Sequence, residues 1–266
     1  MNRAVGRYSR AMHSHRALFA GAKRTELLLV EPPCLPSADR ILARMASSVA
    51  ARCDSMGNRV ESLLPDMHRT LSMRSIGRIM EIGSCKEMGR EDLPKPIRRA
   101  DAMGVGIGTV GSGITALAAE LRAKGRWIDA WICDTSGIVA LDDLCNRLTS
   151  TIRNLASDAG CDSSSAHVLG TTSESWDLSF QRLIFDWLPA NEMGVTLNPD
   201  SLMIPVSCRM LIVGISESVR GTSSVFGRWN CDFGPCSHPC PGDARRPQRE
   251  KSDWGGDIDE RTAGLD

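Results

Sequence analysis

The sequence predicts a mixed fold in which helices flank extended segments without the regular strand and helix alternation of a wound parallel sheet. Three observations carry that expectation. Ile114, Leu117, Ala118 and Leu121 fall at i, i+3, i+4 and i+7, and Leu141, Leu144, Leu148, Ile152 and Leu155 follow the same helical rule. The segments VTLNP (195–199) and SCRMLIVGIS (207–216) read as extended, the second with an apolar centre rich in β-forming residues and a bend at Gly214. Elsewhere no strand-helix-strand rhythm repeats.

Length and charge bound the rest. A chain of 266 residues builds one large domain or two small ones and buries a substantial core. With 32 basic and 32 acidic residues there is no net field to draw it onto nucleic acid or an anionic membrane. One tyrosine, Tyr8, against six tryptophans leaves few rings for a base-stacking surface. The ten cysteines accompany neither a signal-like apolar run nor a membrane-spanning one, so reduced thiols in a cytoplasmic protein are expected.

Along the chain, Arg3, Arg7, Arg10, Arg16, Lys23 and Arg24 precede the first acid, Glu26. This is either an organelle transit segment or a basic helical start; the second reading is preferred, with residues 1–74 taken as a basic helical extension. ELLLVEPPCLP ends at a Pro pair that cannot continue a helix. From Asp39 to about Met80, Ile41, Met45 and Val49 followed by Val60, Leu63 and Leu64 predict helices broken near Gly57. The main domain spans 75–242. Within it LSFQRLIFDWL predicts a helix with Phe180, Ile184 and Trp187 on one face, ending before Pro189. Residues 243–266 are charged and nearly free of aliphatic side chains, and are expected to be a disordered tail.

GVGIGTVGSGIT (104–115) places Gly106, Gly108 and Gly111 in the spacing G-x-G-x-x-G. A dinucleotide site needs a buried strand before the first glycine and an acid about 20 residues beyond. Asp134 lies at a suitable distance, but the preceding PIRRADAM is charged and reads as helix or coil. The glycines are therefore read as a turn capping a helix from Ser112, and a nucleotide-dependent oxidoreductase is the weakest functional reading.

Four segments in order carry a resemblance. GTVGSGITALAAELRAKGRWIDAWICDTSGIVALDDL, SESWDLSFQRLIFDWL, MGVTLNPDSLMIPVSCRMLIVGI and the cysteine-rich NCDFGPCSHPCPGD resemble the cobalamin-dependent methionine synthase activation domain family and its stand-alone relatives, over about residues 75–242. The resemblance implies an α+β domain with a mainly antiparallel central sheet flanked by helices. It implies binding of S-adenosylmethionine and docking on a corrinoid-binding protein or methyltransferase. There one electron, from an electron donor protein, and the methyl of S-adenosylmethionine would restore methylcobalamin on the partner. The protein's part would be to orient the sulfonium methyl and exclude water.

The resemblance places Trp176, Ser201, Met203 and Pro205 at the ligand cleft, and Asp134 and Glu174 are read as carboxylates facing the ligand's charged groups. Where the family carries an arginine and a Gly-Tyr pair ahead of Trp176, this chain reads AHVLGTTSESW, and Ser201 is the nearest match to an aromatic contact on the later strand. A docking partner of a corrinoid protein that no longer holds the small molecule is thus the alternative. Each residue also has a plainer reading: Asp134 as the cap of a helix beginning near Ser136, Trp176 as a core anchor, Met203 and Pro205 as packing. Arg209 is read either as a bidentate partner for a carboxylate or phosphate, or as part of a solvated strand face. Cys231, Cys236 and Cys240, with His238 between the last two and Cys208 upstream, form C-x4-C-x3-C. That set suggests an iron–sulfur cluster or zinc, with free thiols or a disulfide as the alternatives. Cys133 and Cys145 are read as small buried apolar residues.

Overall fold

The structure is a computed structural model that describes residues 27–30, 32–45, 54–84, 89, 93, 97–168 and 179–216. In chain order the elements are β1 (Leu28–Leu29), α1 (Ala38–Met45), α2 (Asp54–Thr70), β2 (Arg74–Glu81), β3 (Ala102–Thr109), α3 (Gly113–Ala123) and α4 (Trp127–Asp158). They continue with β4 (Asp162–Val168), α5 (Ser179–Trp187), β5 (Thr196–Leu197), β6 (Met203–Ile204) and β7 (Cys208–Ser216). One five-stranded sheet has the order β1-β2-β3-β7-β4, and each neighbouring pair is antiparallel. β5 and β6 form a separate antiparallel pair. The fold is α+β, a mainly antiparallel sheet flanked by helices, as the resemblance implies.

Alternation along β3 and β7 sorts side chains between two apolar layers. Leu211, Val213 and Ile215 face a layer with Ile41 and Met45 of α1, Val60 and Met67 of α2, Ile114 of α3 and Leu148 and Ile152 of α4. Met103, Val105, Ile107, Met210 and Ile212 face the other, closed by Leu93, Ile97 and the Phe180, Ile184 and Trp187 stripe of α5. Phe180 and Trp187 meet edge to face with centroids 6.1 Å apart, as the helical spacing of that segment anticipates. Helices α1 and α2, from before residue 75, thus share one core with the segments after it.

The glycine segment is where sequence and structure part. Gly104, Gly106 and Gly108 do not form a turn; they lie inside β3, a wholly buried strand at the centre of the sheet. The charged stretch before it ends at Asp101, and Ala102 already pairs with Ile215 and Glu81. The glycines all face α4, because a Cβ on Gly104 would stand 2.4 Å from Cγ2 of Ile152 and one on Gly106 2.5 Å from Cδ2 of Leu148. Missing side chains let the helix lie against the strand backbone. Only Gly111, at φ +76°, makes the turn into α3. With antiparallel neighbours on both sides, β3 offers no parallel switch point for a dinucleotide.

Three further expectations are corrected. Gly57 does not break a helix but sits in the first turn of α2. The helical pattern toward Met80 stops at Thr70, and RSIGRIME forms β2, whose buried positions pair with β3 along its full length. Gly214 marks no bend in β7; a Cβ there would lie 2.7 Å from Cγ2 of Ile97, and the irregularity falls in β4 opposite, between Ser163 and Ala166.

Candidate functional site

Lengths decide the shape of the candidate surface. Helix α4 has 32 residues and extends about 48 Å, whereas the eight residues of β3 span about 27 Å. The helix must overhang the sheet. Gly104 meets Ile152, Gly106 meets Leu148, and a Cβ on Gly108 would stand 3.4 Å from Cys145 Sγ, so helix and strand run in opposite directions. The Thr109 end of β3 is therefore level with the middle of α4, and the helix from Trp127 to about Ala140 reaches past it.

The overhang leaves a row of side chains without a sheet beneath. Trp127, Trp131, Asp134 and Ile138 precede Leu141, Cys145, Leu148 and Ile152 in steps of four and three. The last four are buried, while Trp127 is 65% exposed, Trp131 37% and Ile138 42%. The chain returns to this end of the sheet through Leu202, Ile204 and Val206, all exposed, before Cys208 pairs with Thr109. The amide of Val110 donates to the Ser207 carbonyl at 3.1 Å, and the Ser207 hydroxyl donates to the Gly111 carbonyl. One turn further, Ile114 abuts Gly137. The two apolar groups thus flank one end of the sheet.

Arginine-carboxylate pairs fix this end. Asp129, 1% exposed, accepts from Arg59 of α2 and, at 2.6 Å, from Arg126, and the Arg59 bond holds its carboxyl below the usual range against the effect of burial. Asp142 pairs with Arg209 of β7 and, at 3.8 Å, with Arg44 of α1; Asp143 pairs with Arg40. Arg209 meets a carboxylate of its own chain, which explains a cation on a strand face turned toward a helix.

Of the residues assigned to the ligand cleft, Asp134 lies in the interior of α4 and caps nothing, because the helix begins at Trp127. Its carboxylate accepts from Arg122 of α3; burial pushes its carboxyl up and Arg122 opposes that. Ser201, buried and at φ +63°, accepts from Nε of Arg182 at 2.7 Å, and Arg182 also donates to the Pro199 carbonyl. Asn198 Oδ1 accepts from the Leu202 amide at 2.8 Å and closes the same turn. Met203 is partly buried against the α5 layer, and Pro205 follows a cis peptide bond. Asp134 therefore belongs to the layer of α4, whereas Ser201 is tied to α5 on the opposite face of the sheet. Glu174 and Trp176 lie outside the described residues.

No family model and no curated protein matches the sequence. Among solved structures the chain is similar to the crystal structure of the MetH reactivation domain bound to AdoHcy, at 11% identity and a TM-score of 0.43, covering 73% of this chain and 79% of that one.

Cys231, Cys236 and Cys240 also lie outside the described residues, with His238. Among the described residues no three His, Cys, Asp or Glu side chains gather as a metal site, and no helix is long and apolar enough to cross a membrane. Burial pushes the Cys133 thiol up to about 11 and the Cys145 thiol to about 12, in keeping with their reading as apolar core residues. Cys208 contacts the Thr109 hydroxyl at 3.1 Å. A separate open cleft of ≈ 390 Å³ lies at the far end of α4, between Ser150, Arg153, Asn154 and Ser157 and the start of β4. It contains none of the assigned residues.

The sequence reading missed Trp127, Trp131, Arg122 and Arg182. The tryptophans had a signal, since the three-and-four spacing that begins at Trp127 runs unbroken to Ile152. The arginines had none, because their partners are brought to them by the packing of separate helices and turns.

Proposed function

We propose that the chain works as a stand-alone activation-domain-like protein beside a corrinoid methyl-transfer system, presenting the overhung end of its sheet to the corrinoid carrier. One observation carries the reading: the three described segments of the resemblance, 108–144, 193–215 and the described part of 173–188, fold into contiguous parts of one antiparallel platform. They supply its overhanging helix, the turn and strand at its end, and the helix beneath. In this reading Ser201, Met203 and Pro205, with Glu174 and Trp176, form the wall nearest an adenosyl-type ligand such as S-adenosylmethionine. Asp134 and Arg122 form the charged rim on the α4 side. The chain's residues would orient the ligand and exclude water, and the methyl transfer itself would draw on the partner's cobalamin. An iron–sulfur cluster or zinc at Cys231, Cys236 and Cys240 and an electron donor protein complete the proposal.

A second reading, a docking partner without the small molecule, is favoured by one specific feature. Two groups assigned to the ligand, the Asp134 carboxylate and the Ser201 hydroxyl, are already engaged by arginines of the chain itself.

Calorimetric titration with S-adenosylmethionine and with S-adenosylhomocysteine, paired with capture of a purified corrinoid protein, tests both. Binding heat together with capture supports the first reading. Capture without heat at millimolar ligand leaves the second, and loss of both overturns the proposal.

A further inference from the structure

The exposed row on α4 has a stricter pattern than an ordinary amphipathic helix. Trp127, Trp131, Asp134 and Ile138 continue in alternating steps of four and three the row that seats Leu141, Cys145, Leu148 and Ile152 on the sheet. Such spacing makes a straight seam that fits another helix lying alongside. Ile128, 45% exposed, flanks it. From this geometry we propose that the overhanging half of α4 is a dimer surface, on which the same half of α4 from a second copy of this chain packs antiparallel. The inference invokes no ligand, but it covers the same overhung end that the function proposed above gives to the corrinoid carrier, so a second copy and the carrier would exclude one another there.

Three features select a second copy as the occupant. A two-fold contact requires a surface complementary to itself. Antiparallel pairing of the row sets Trp127 against Ile138 of the second copy and Trp131 beside its Asp134, which gives the indole N–H a carboxylate to donate to. Charge agrees. The row carries one carboxylate, Asp134, paired with Arg122, at side-chain exposures of 34% and 39%, so each copy brings one anion and one cation to the centre of the contact. The whole chain has formal net charge +0, so copies do not repel at long range.

Area sets the strength. The exposed parts of Trp127, Ile128, Trp131 and Ile138 amount to roughly 400 Å² per chain, so a pair removes on the order of 800 Å² of apolar surface before the rim is counted. This lies below the lower end of specific, stable interfaces, about 1,200 Å² in total, and suits a weak, reversible dimer.

Sedimentation velocity of the full chain from low micromolar to submillimolar concentration is the test. The expected result is a rise from the mass of one chain to that of two. Trp127→Glu and Ile138→Glu, at exposed positions that leave the helical circular dichroism intact, should each raise the dissociation midpoint about tenfold or more. Leu29→Ser, at a residue 78% exposed on the edge strand β1, should leave it unchanged. A single-chain mass throughout the range overturns the proposal. So does a dimer that Leu29→Ser weakens as much as Trp127→Glu.

Discussion

Gly106 lies directly beneath Leu148: a Cβ placed on the glycine would come within 2.5 Å of Cδ2 of the leucine and 3.3 Å of the Ile76 carbonyl oxygen. The strand backbone and the helix side chain fill one space between them, and the same relationship recurs at Gly104 with Ile152. Helix α4 can therefore settle on β3, and its first half is carried past the end of the sheet as a rigid extension.

Gly106→Ala should accordingly destabilise the fold by about 1–3 kcal/mol through overpacking, and Leu148→Ala alone by about 2–4 kcal/mol through a cavity. Together they should cost less than the sum by about 1 kcal/mol or more, because each change makes room for the other. Urea unfolding of the four proteins of the cycle measures this. Strict additivity would show that the close approach does not govern the packing.

Asp129 joins α2 to α4 through two arginines. The carboxylate is 1% exposed, but Arg59 and Arg126 are 44% and 51% exposed and would rehydrate without it. Asp129→Ala should thus cost about 1–2 kcal/mol, less than the ~3–5 kcal/mol of breaking a fully buried pair. Removing both arginines instead leaves a buried unpaired carboxylate and should cost more, which thermal unfolding will rank.

The same residue predicts a pH effect. The Arg59 hydrogen bond holds the Asp129 carboxyl below its unfolded value, so its contribution is complete above the ordinary carboxylate range, about pH 4, and is lost as pH falls through the depressed value. Asp129→Asn should flatten the acid limb of a stability profile and leave its slope near neutrality unchanged.

Thiol reactivity reports on the seam. Cys34 is exposed, whereas burial pushes Cys145 up to about 12 and Cys133 to about 11. Brief alkylation at neutral pH should label Cys34 at least ~100-fold faster than either buried thiol, as peptide mass spectrometry can read. Comparable labelling of Cys145 would mean that α4 lifts from β3.

How much was legible in the sequence follows from the range of each signal. Helical periodicity is local, so the stripes of α4 and α5 could be read directly, and β7 announced itself by its run of β-forming residues. β2 and β3 could not be read in this way. RSIGRIME carries two arginines and a glutamate among its apolar residues and AMGVGIGT carries three glycines, and they become strands because partners on both sides and helix α4 above stabilise them. The G-x-G-x-x-G spacing was visible, but whether a glycine serves a phosphate, a turn or a helix pressed against a strand depends on what approaches it. Asp134 had both a capping and a ligand reading; the capping reading fails because α4 begins seven residues earlier, and the packing of α3 brings Arg122 to its carboxylate.

By itself, then, the sequence determined the helical faces, the main apolar strand, the absence of strand and helix alternation and a charge balance that favours no polyanion. The tertiary structure alone decided which face each strand turns to which helix, that Asp142 receives Arg209 and Ser201 receives Arg182, and that a helix longer than its sheet leaves two tryptophans uncovered. The reason is physical: periodicity is set by neighbours a turn away along the chain, whereas close approach, ion pairing and overhang depend on residues brought together from distant parts of it.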